Sequence, residues 1–364
     1  MKQNLKFASN QQDFFATLSQ RVNQYFKTNG IERTANLEMV FKTIFMFLLY
    51  FIPYFIAISG AVTNIWALFI LSIIMGLGLA GIGLSVMHDA NHGAYSTKPW
   101  VNTFLGFSLN LVGGHAFNWK VQHNVLHHTY TNVHEVDEDI SPRGVLRMAP
   151  TSKWLPIHRY QHVYAWLFYG LMTFVWVFAK DFSRLIKYEQ NGLIQKQKSS
   201  ATAEWLVMLL SKVIYVGYAV VLPILVLPVA WWQVLIGFFV MHYVAGFILA
   251  IIFQPAHVVD GTEYPMPDGE GKLENNWAIH QLLTTTNFGH KEKLFSWYVG
   301  GLNYQVEHHL FPNVCHVHYC KLAKIVEQTA TEFGLPYKTK DSFWDALVAH
   351  TRQLRMLGAK PLVG

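Results

Sequence analysis

Four stretches without a charged side chain dominate what this chain can fold into: residues 43–59, 65–87, 213–230 and 231–253. At 1.5 Å rise per residue, each runs close to the ~20 residues that cross a hydrocarbon core. They come in pairs. Residues 60–64 alone separate the first two, and the second two adjoin, with Pro223 and Pro228 marking a kink and a turn. The pattern predicts an all-α integral membrane protein with four transmembrane helices arranged as two hairpins. Composition agrees, because charged residues make up 14% against roughly 25% in soluble domains. Aromatics reach 15%, with 12 Trp and 17 Tyr, side chains that favour the water–hydrocarbon boundary. An ordinary soluble enzyme, a disordered chain and a fibrous repeat are all excluded.

Lys and Arg set the expected orientation. Six fall in residues 1–42, eleven in 98–200, ten in 255–364, and neither hairpin turn carries any. The excess of basic residues on the cytoplasmic side then places both termini and the long middle region in the cytoplasm. Residues 163–179 form a further uncharged run, flanked by basic residues on both sides, and read as a helix lying in the interface rather than a fifth span. Residues 1–42 lack the apolar core of a signal peptide and read as a cytosolic N-terminal segment ahead of a single domain over 43–364. Two cysteines, Cys315 and Cys320, leave no disulfide framework and fit a reducing compartment. A net charge of +6 fits an anionic membrane surface or an acidic partner and lacks the clustered basic face of a nucleic-acid binder.

Eighteen histidines are more informative by placement than by number. His242 alone sits well inside an expected span, whereas His88 and His92 follow the second span directly. Four residues apart on a helix, two imidazoles share a face at about 5–6 Å, a spacing that suits one metal ion. His123, His127 and His128 follow at i, i+4, i+5, so a helix there offers ligands to two neighbouring ions. His308 and His309 form a third cluster, led by Gln305, and His257 follows the fourth span as His88 follows the second. The regions 88–204 and 254–364 would thus form a cytosolic helical cap holding a dinuclear metal site. Eight imidazoles exceed what one ion accepts and point to two, with iron, zinc, copper and nickel all compatible with the donor type. His115, His134, His158, His162, His290 and His350 read as ordinary hydrogen-bonded or surface histidines.

These motifs resemble the membrane fatty acid desaturases, whose three histidine boxes read HxxxH, HxxxHH and HxxHH or QxxHH. The likeness extends through Asn118-Trp119, Asp137-Glu-Asp139-Ile140, Phe253-Gln-Pro-Ala-His257 and Gly300 to Pro312, and points to the bacterial linoleoyl-CoA or front-end branch. The resemblance implies two iron ions (Fe2+/Fe3+) with O2 as co-substrate, and removal of two hydrogens from adjacent methylenes of an acyl-CoA or acyl-lipid chain. Box by box it implies His88, His92, His123, His127, His128, His308 and His309 as ligands. His257 is the expected extra ligand, ahead of His280, which stands four residues after Asn276. Gln305 resembles the front-end desaturases and would ligate weakly or orient a water or a ligand. No HPGG motif of a fused cytochrome b5 domain occurs, so a separate donor of ferredoxin or cytochrome b5 type, with its reductase, is expected.

An unactivated methylene has no acidic proton, so the chemistry demands a metal–oxygen oxidant rather than acid–base catalysis. Asp89, Asp139 and Glu307 are candidate partners for the outer N–H groups of the imidazoles. Lys120, Arg143, Arg147 and Lys153 are candidates to hold an anionic head group or an acidic donor. A hydroxylase on the same scaffold is the enzymatic competitor. A histidine-rich membrane metal transporter or sensor is the non-enzymatic one, but it calls for ligands inside the spans.

Overall fold

The computed structural model describes residues 5–9, 13–140 and 144–361; Arg143 lies outside the described residues. The architecture is all-helical apart from two short parallel ladders, Lys6–Phe7 with Lys272–Leu273 and Asn287–Phe288 with Thr339–Lys340. Among the described residues, four helices are long and apolar enough to cross a membrane: Leu37–Ile58, Ile65–Asn91, Ala201–Val226 and Trp231–His257. Asparagine caps start the first two. Asn36 accepts from the Met39 amide, and Asn64 from those of Trp66 and Ala67, which satisfies donors that have no partner within the helix.

The boundaries differ from the expected ones in an instructive way. The third helix begins at Ala201 rather than 213 and ends at Val226, before Pro228. Lys212 lies within it, its ammonium paired with Asp181 at 2.9 Å and donating to the Gly113 carbonyl at 2.9 Å. A buried charge so paired does not end a helix. The second and fourth helices continue past 87 and 253, so His88 and His257 occupy their last turns. Residues 163–179 are not one straight helix. The helices Pro156–Gly170 and Met172–Gln190 meet at 61°, and the Tyr243 ring takes the space that a side chain at Gly170 would need.

The chain divides into two compact units. One comprises Asn36–Val121 and Trp166–Ile251 and holds most of the apolar helices. Gly78 allows Ile65–Asn91 to approach Leu37–Ile58 closely, since a Cβ there would lie 2.6 Å from the Tyr50 nitrogen; small residues serve this purpose between membrane helices. His242 sits in this unit between Tyr215 (2.6 Å) and Thr173 (3.1 Å), a partner on each ring nitrogen, in keeping with a bundle-internal role.

The other unit comprises Met1–Ala35, Gln122–Ala165 and Ile252–Gly364. Phe14, Leu18, Val22 and Phe26 repeat every four residues along the helix Phe14–Asn29. They form one core with Leu322, Ala323, Val326 and Ala330 of Tyr319–Glu332, the stripe that an amphipathic helix buries. Arg147 is not an exposed anchor. Its guanidinium donates to the carbonyls of Pro150, Ser152 and Leu357 and is consumed as a clamp on the last helix.

Candidate metal centre

The second histidine box rides on a widened turn. Residues Val121–His127 are π-helical, and the His128 amide bonds back five residues to the His123 carbonyl at 2.9 Å. Such single π-turns recur at functional sites. Here the widening brings both His127 and His128 within 5.3 Å of the His123 ring.

Two sets of imidazoles converge within this unit. His127, His257 and His309 each bring a ring nitrogen within 4.8 Å of the others, and none of the three is exposed. Their Nδ1 atoms are each engaged: His127 with Asp137 at 3.0 Å, His257 with the Thr284 carbonyl at 3.3 Å, and His309 with Gln281 Oε1 at 2.8 Å. Each partner is an acceptor, so each Nδ1 carries the proton and each Nε2 presents a lone pair. Those three Nε2 atoms are buried without a hydrogen-bond partner. A buried imidazole lone pair with no donor is costly unless a cation fills the role. The residues therefore fit a metal ion.

The second set is His123, His128 and His308. His128 Nε2 lies 3.2 Å from His123 Nε2 and 2.9 Å from His308 Nε2. Nitrogens at right angles around one ion, each about 2.1 Å from it, stand roughly 3 Å apart. His308 Nδ1 contacts the Tyr319 hydroxyl at 3.2 Å. Phe253 lays its ring 5.1 Å from His127 and 5.0 Å from His257, an apolar wall against water.

Electrostatics separates the imidazoles. Burial, followed by the neighbouring imidazoles, drives His309 well below the ordinary histidine value, keeping it neutral and competent to ligate. Burial also pulls His127 down, but the charge and hydrogen bond of Asp137 outweigh it, and the net direction is upward. Asp137 resists its own burial through His127 and the amides of Asn132 and Asp139, and its carboxyl is held below the usual range. Asn132, in the left-handed region at φ 59°, also donates to the carbonyls of His257 and Glu263. One residue thereby ties the second box to the end of the fourth long helix.

Gln305 donates through Nε2 to the Leu302 carbonyl at 2.7 Å. Its Oε1 is buried, and the side chain lies beside His257. His280, the rival to His257, behaves differently. Its Nε2 meets the Thr131 carbonyl at 2.8 Å, and no converging group among the described residues includes it. Asn276 serves as a helix cap rather than a donor to a metal. In the other unit His88 and His92 stand 4.7 Å apart between ring centroids, each 5.5 Å from Trp119, and Asp89 is 3.6 Å from His88 Nδ1.

The carboxylates divide otherwise than their proximity to the motifs suggests. Asp139 reaches 3.9 Å from His123 and 3.8 Å from His127, and Gln122 donates to it. Glu307 binds Asn287 and Tyr337 instead, and burial pushes its carboxyl up to about 7. The partners that sequence reasoning missed as such are Asp137, Gln281, Thr284 and Tyr319. Asp137 stood in a quoted motif, but the other three carry no spacing signal relative to the boxes.

A sequence profile described as fatty acid desaturase matches residues 64–341. The sn-1 linoleoyl-lipid 6-desaturase of Synechocystis sp. is 36% identical over 350 residues, 95% of this chain and 95% of its own length. The acyl-lipid (8-3)-desaturase of Physcomitrium patens is 36% identical over 361 residues, 98% of this chain and 74% of its own. That of Mortierella alpina is 33% identical over 355 residues, 96% of this chain and 78% of its own.

Proposed function

The chain belongs to the fatty acid desaturase family and is a membrane oxidoreductase that desaturates fatty acyl chains; from that premise we propose how its residues do so. The ligand set is His88, His92, His123, His127, His128, His257, His308 and His309, holding two iron ions. Bound iron with O2 supplies the oxidation of two neighbouring unactivated methylenes that no side chain can perform. The observation that carries this reading is the convergence of three buried Nε2 lone pairs whose Nδ1 atoms are all tied to acceptors.

The remaining residues orient and exclude. Asp137, Gln281 and the Thr284 carbonyl hold the tautomers and aim the rings, which raises ligand basicity. Phe253 keeps water from the imidazoles. Gln305, with its amide nitrogen committed to Leu302, turns a carbonyl oxygen toward His257 and orients that ring or a water beside it.

The long helices are read as two hairpins carrying a cytosolic cap, with both termini cytoplasmic and residues 163–179 in the interface. The substrate is an acyl-lipid or acyl-CoA with a double bond already present, and the new bond enters on its carboxyl side. Relatives named for linoleoyl-lipid and acyl-lipid substrates support this, as does Gln305 at the head of the third box. Electrons come from a separate ferredoxin or cytochrome b5 type donor with its reductase. The test is metal analysis of the purified protein, with two irons expected per chain, together with expression in a host lacking polyunsaturates fed linoleate. A trienoic product in the gas chromatogram supports the reading; a hydroxylated acid as main product overturns it.

A further inference from the structure

Residues 5–8, ahead of the first helix, match no box, yet they are built into the metal unit. Lys6–Phe7 pairs in parallel with Lys272–Leu273. The Lys6 amide donates to the Gly271 carbonyl at 3.0 Å and the Ala8 amide to the Asn275 carbonyl at 3.3 Å. Main-chain pairing of this kind fixes the register of a two-residue strand and hence the direction of its side chains. Phe7 is directed to a particular place. Its ring stacks on Tyr130 at 5.7 Å and meets His280 edge-on at 5.4 Å, while the Tyr130 hydroxyl reaches back to the Leu5 carbonyl at 3.4 Å.

What Phe7 touches leads inward by one residue. His280 Nε2 donates to the Thr131 carbonyl at 2.8 Å. The Thr131 hydroxyl donates to the His127 carbonyl at 2.7 Å and contacts Gln281 Oε1 at 2.9 Å and His309 Nδ1 at 3.3 Å. Thr131 therefore braces the His309 imidazole and the main chain of His127, and its own carbonyl is held by His280, which Phe7 covers together with the neighbouring Tyr130 ring. We infer that the strap over residues 5–8 is a clamp on the second histidine box. In this clamp Phe7 is a positioning residue for His127 and His309, and His280, far from being a ligand, relays the hold. The inference rests on the reading of His127 and His309 as iron ligands. Aromatic pairs of this geometry add modestly to the area they bury, enough to steady a turn without determining whether the chain folds.

Two readouts test it, on full-length protein in detergent. Iron release to an excess of chelator should be about tenfold faster in Phe7→Ala than in the unsubstituted protein, the low end of what losing support for a ligand costs. Phe7→Tyr should restore the slow release, and Lys6→Ala, whose exposed side chain takes no part, should match the unsubstituted protein. Hydrogen exchange of the amides in residues 127–132 should quicken in Phe7→Ala whether or not iron is bound, with exchange in 319–332 unchanged. If the unsubstituted protein holds no iron, the ligand assignment fails, and the exchange arm alone decides the clamp. Unchanged exchange in 127–132, or unchanged iron release from an iron-loaded protein, overturns it. Faster exchange throughout the unit, unrelieved by Phe7→Tyr, also overturns it, because that pattern marks general loosening.

Discussion

At the scale of single residues, the proposed ligands could be picked out because metal-ligand spacing shows along the sequence, whereas the groups that hydrogen-bond their rings are neighbours only in space. His123, His127 and His128 declare themselves by interval. Gln281 and the Thr284 carbonyl do not, since the helix Trp277–Thr284 reaches His309 and His257 only through the fold. Asp137 lies ten residues along the chain from His127, beyond any helical periodicity. Asp137→Asn keeps the shape and removes the charge that raises His127, so iron affinity in a competitive titration should fall about 10–100-fold. Glu307→Gln should leave iron content unchanged, because its carboxyl serves Asn287 and Tyr337 rather than an imidazole. His257→Ala should lose iron and activity, while His280→Ala keeps its full complement of iron at equilibrium; the opposite result would transfer the ligand role to His280.

Elements were legible where apolarity ran unbroken and illegible where a charge was neutralised inside. The four long helices followed from uncharged runs, but the third started well before its expected boundary, because Lys212 and Asp181 cancel one another beneath the surface. The π-turn at Val121–His127 could not be read either, since the i, i+4, i+5 histidine spacing is equally compatible with an ordinary helical turn. The Lys212–Asp181 pair gives this scale its own prediction. Trp176 Nε1 also donates to Asp181, at 3.0 Å, so Lys212→Met strands a solvated-in-protein anion rather than an idle side chain. It should cost about 3–5 kcal/mol in reversible unfolding, and the double variant Lys212→Met with Asp181→Asn should recover most of that loss. A double variant as unstable as the single would mean that Lys212 acts through Gly113 alone.

For the whole molecule, charge placement along the chain makes a claim about sides of a membrane that reporter fusions can check. Fusions after Lys27 and Lys187 should both report cytoplasm, because Lys and Arg lie on either side of the bent helices and are absent from both turns between spans. A fusion after Lys187 reporting the far side would make the bent pair Pro156–Gly170 and Met172–Gln190 a true span and separate the first two boxes from the third. The proposed role of Gln305 sets the finer prediction. Because its Nε2 is bound to Leu302, only its Oε1 faces the His257 side, and a neutral carbonyl there is a weak ligand and a good acceptor. Gln305→Glu puts a full negative charge at that point and should lower turnover at least tenfold while iron stays bound. Gln305→His adds an imidazole and should retain activity if the position faces iron. Fed linoleate, the unsubstituted protein should form a triene with the new bond between the carboxyl and the existing ones; a double bond appearing only in saturated stearate would contradict both the role of Gln305 and the front-end assignment.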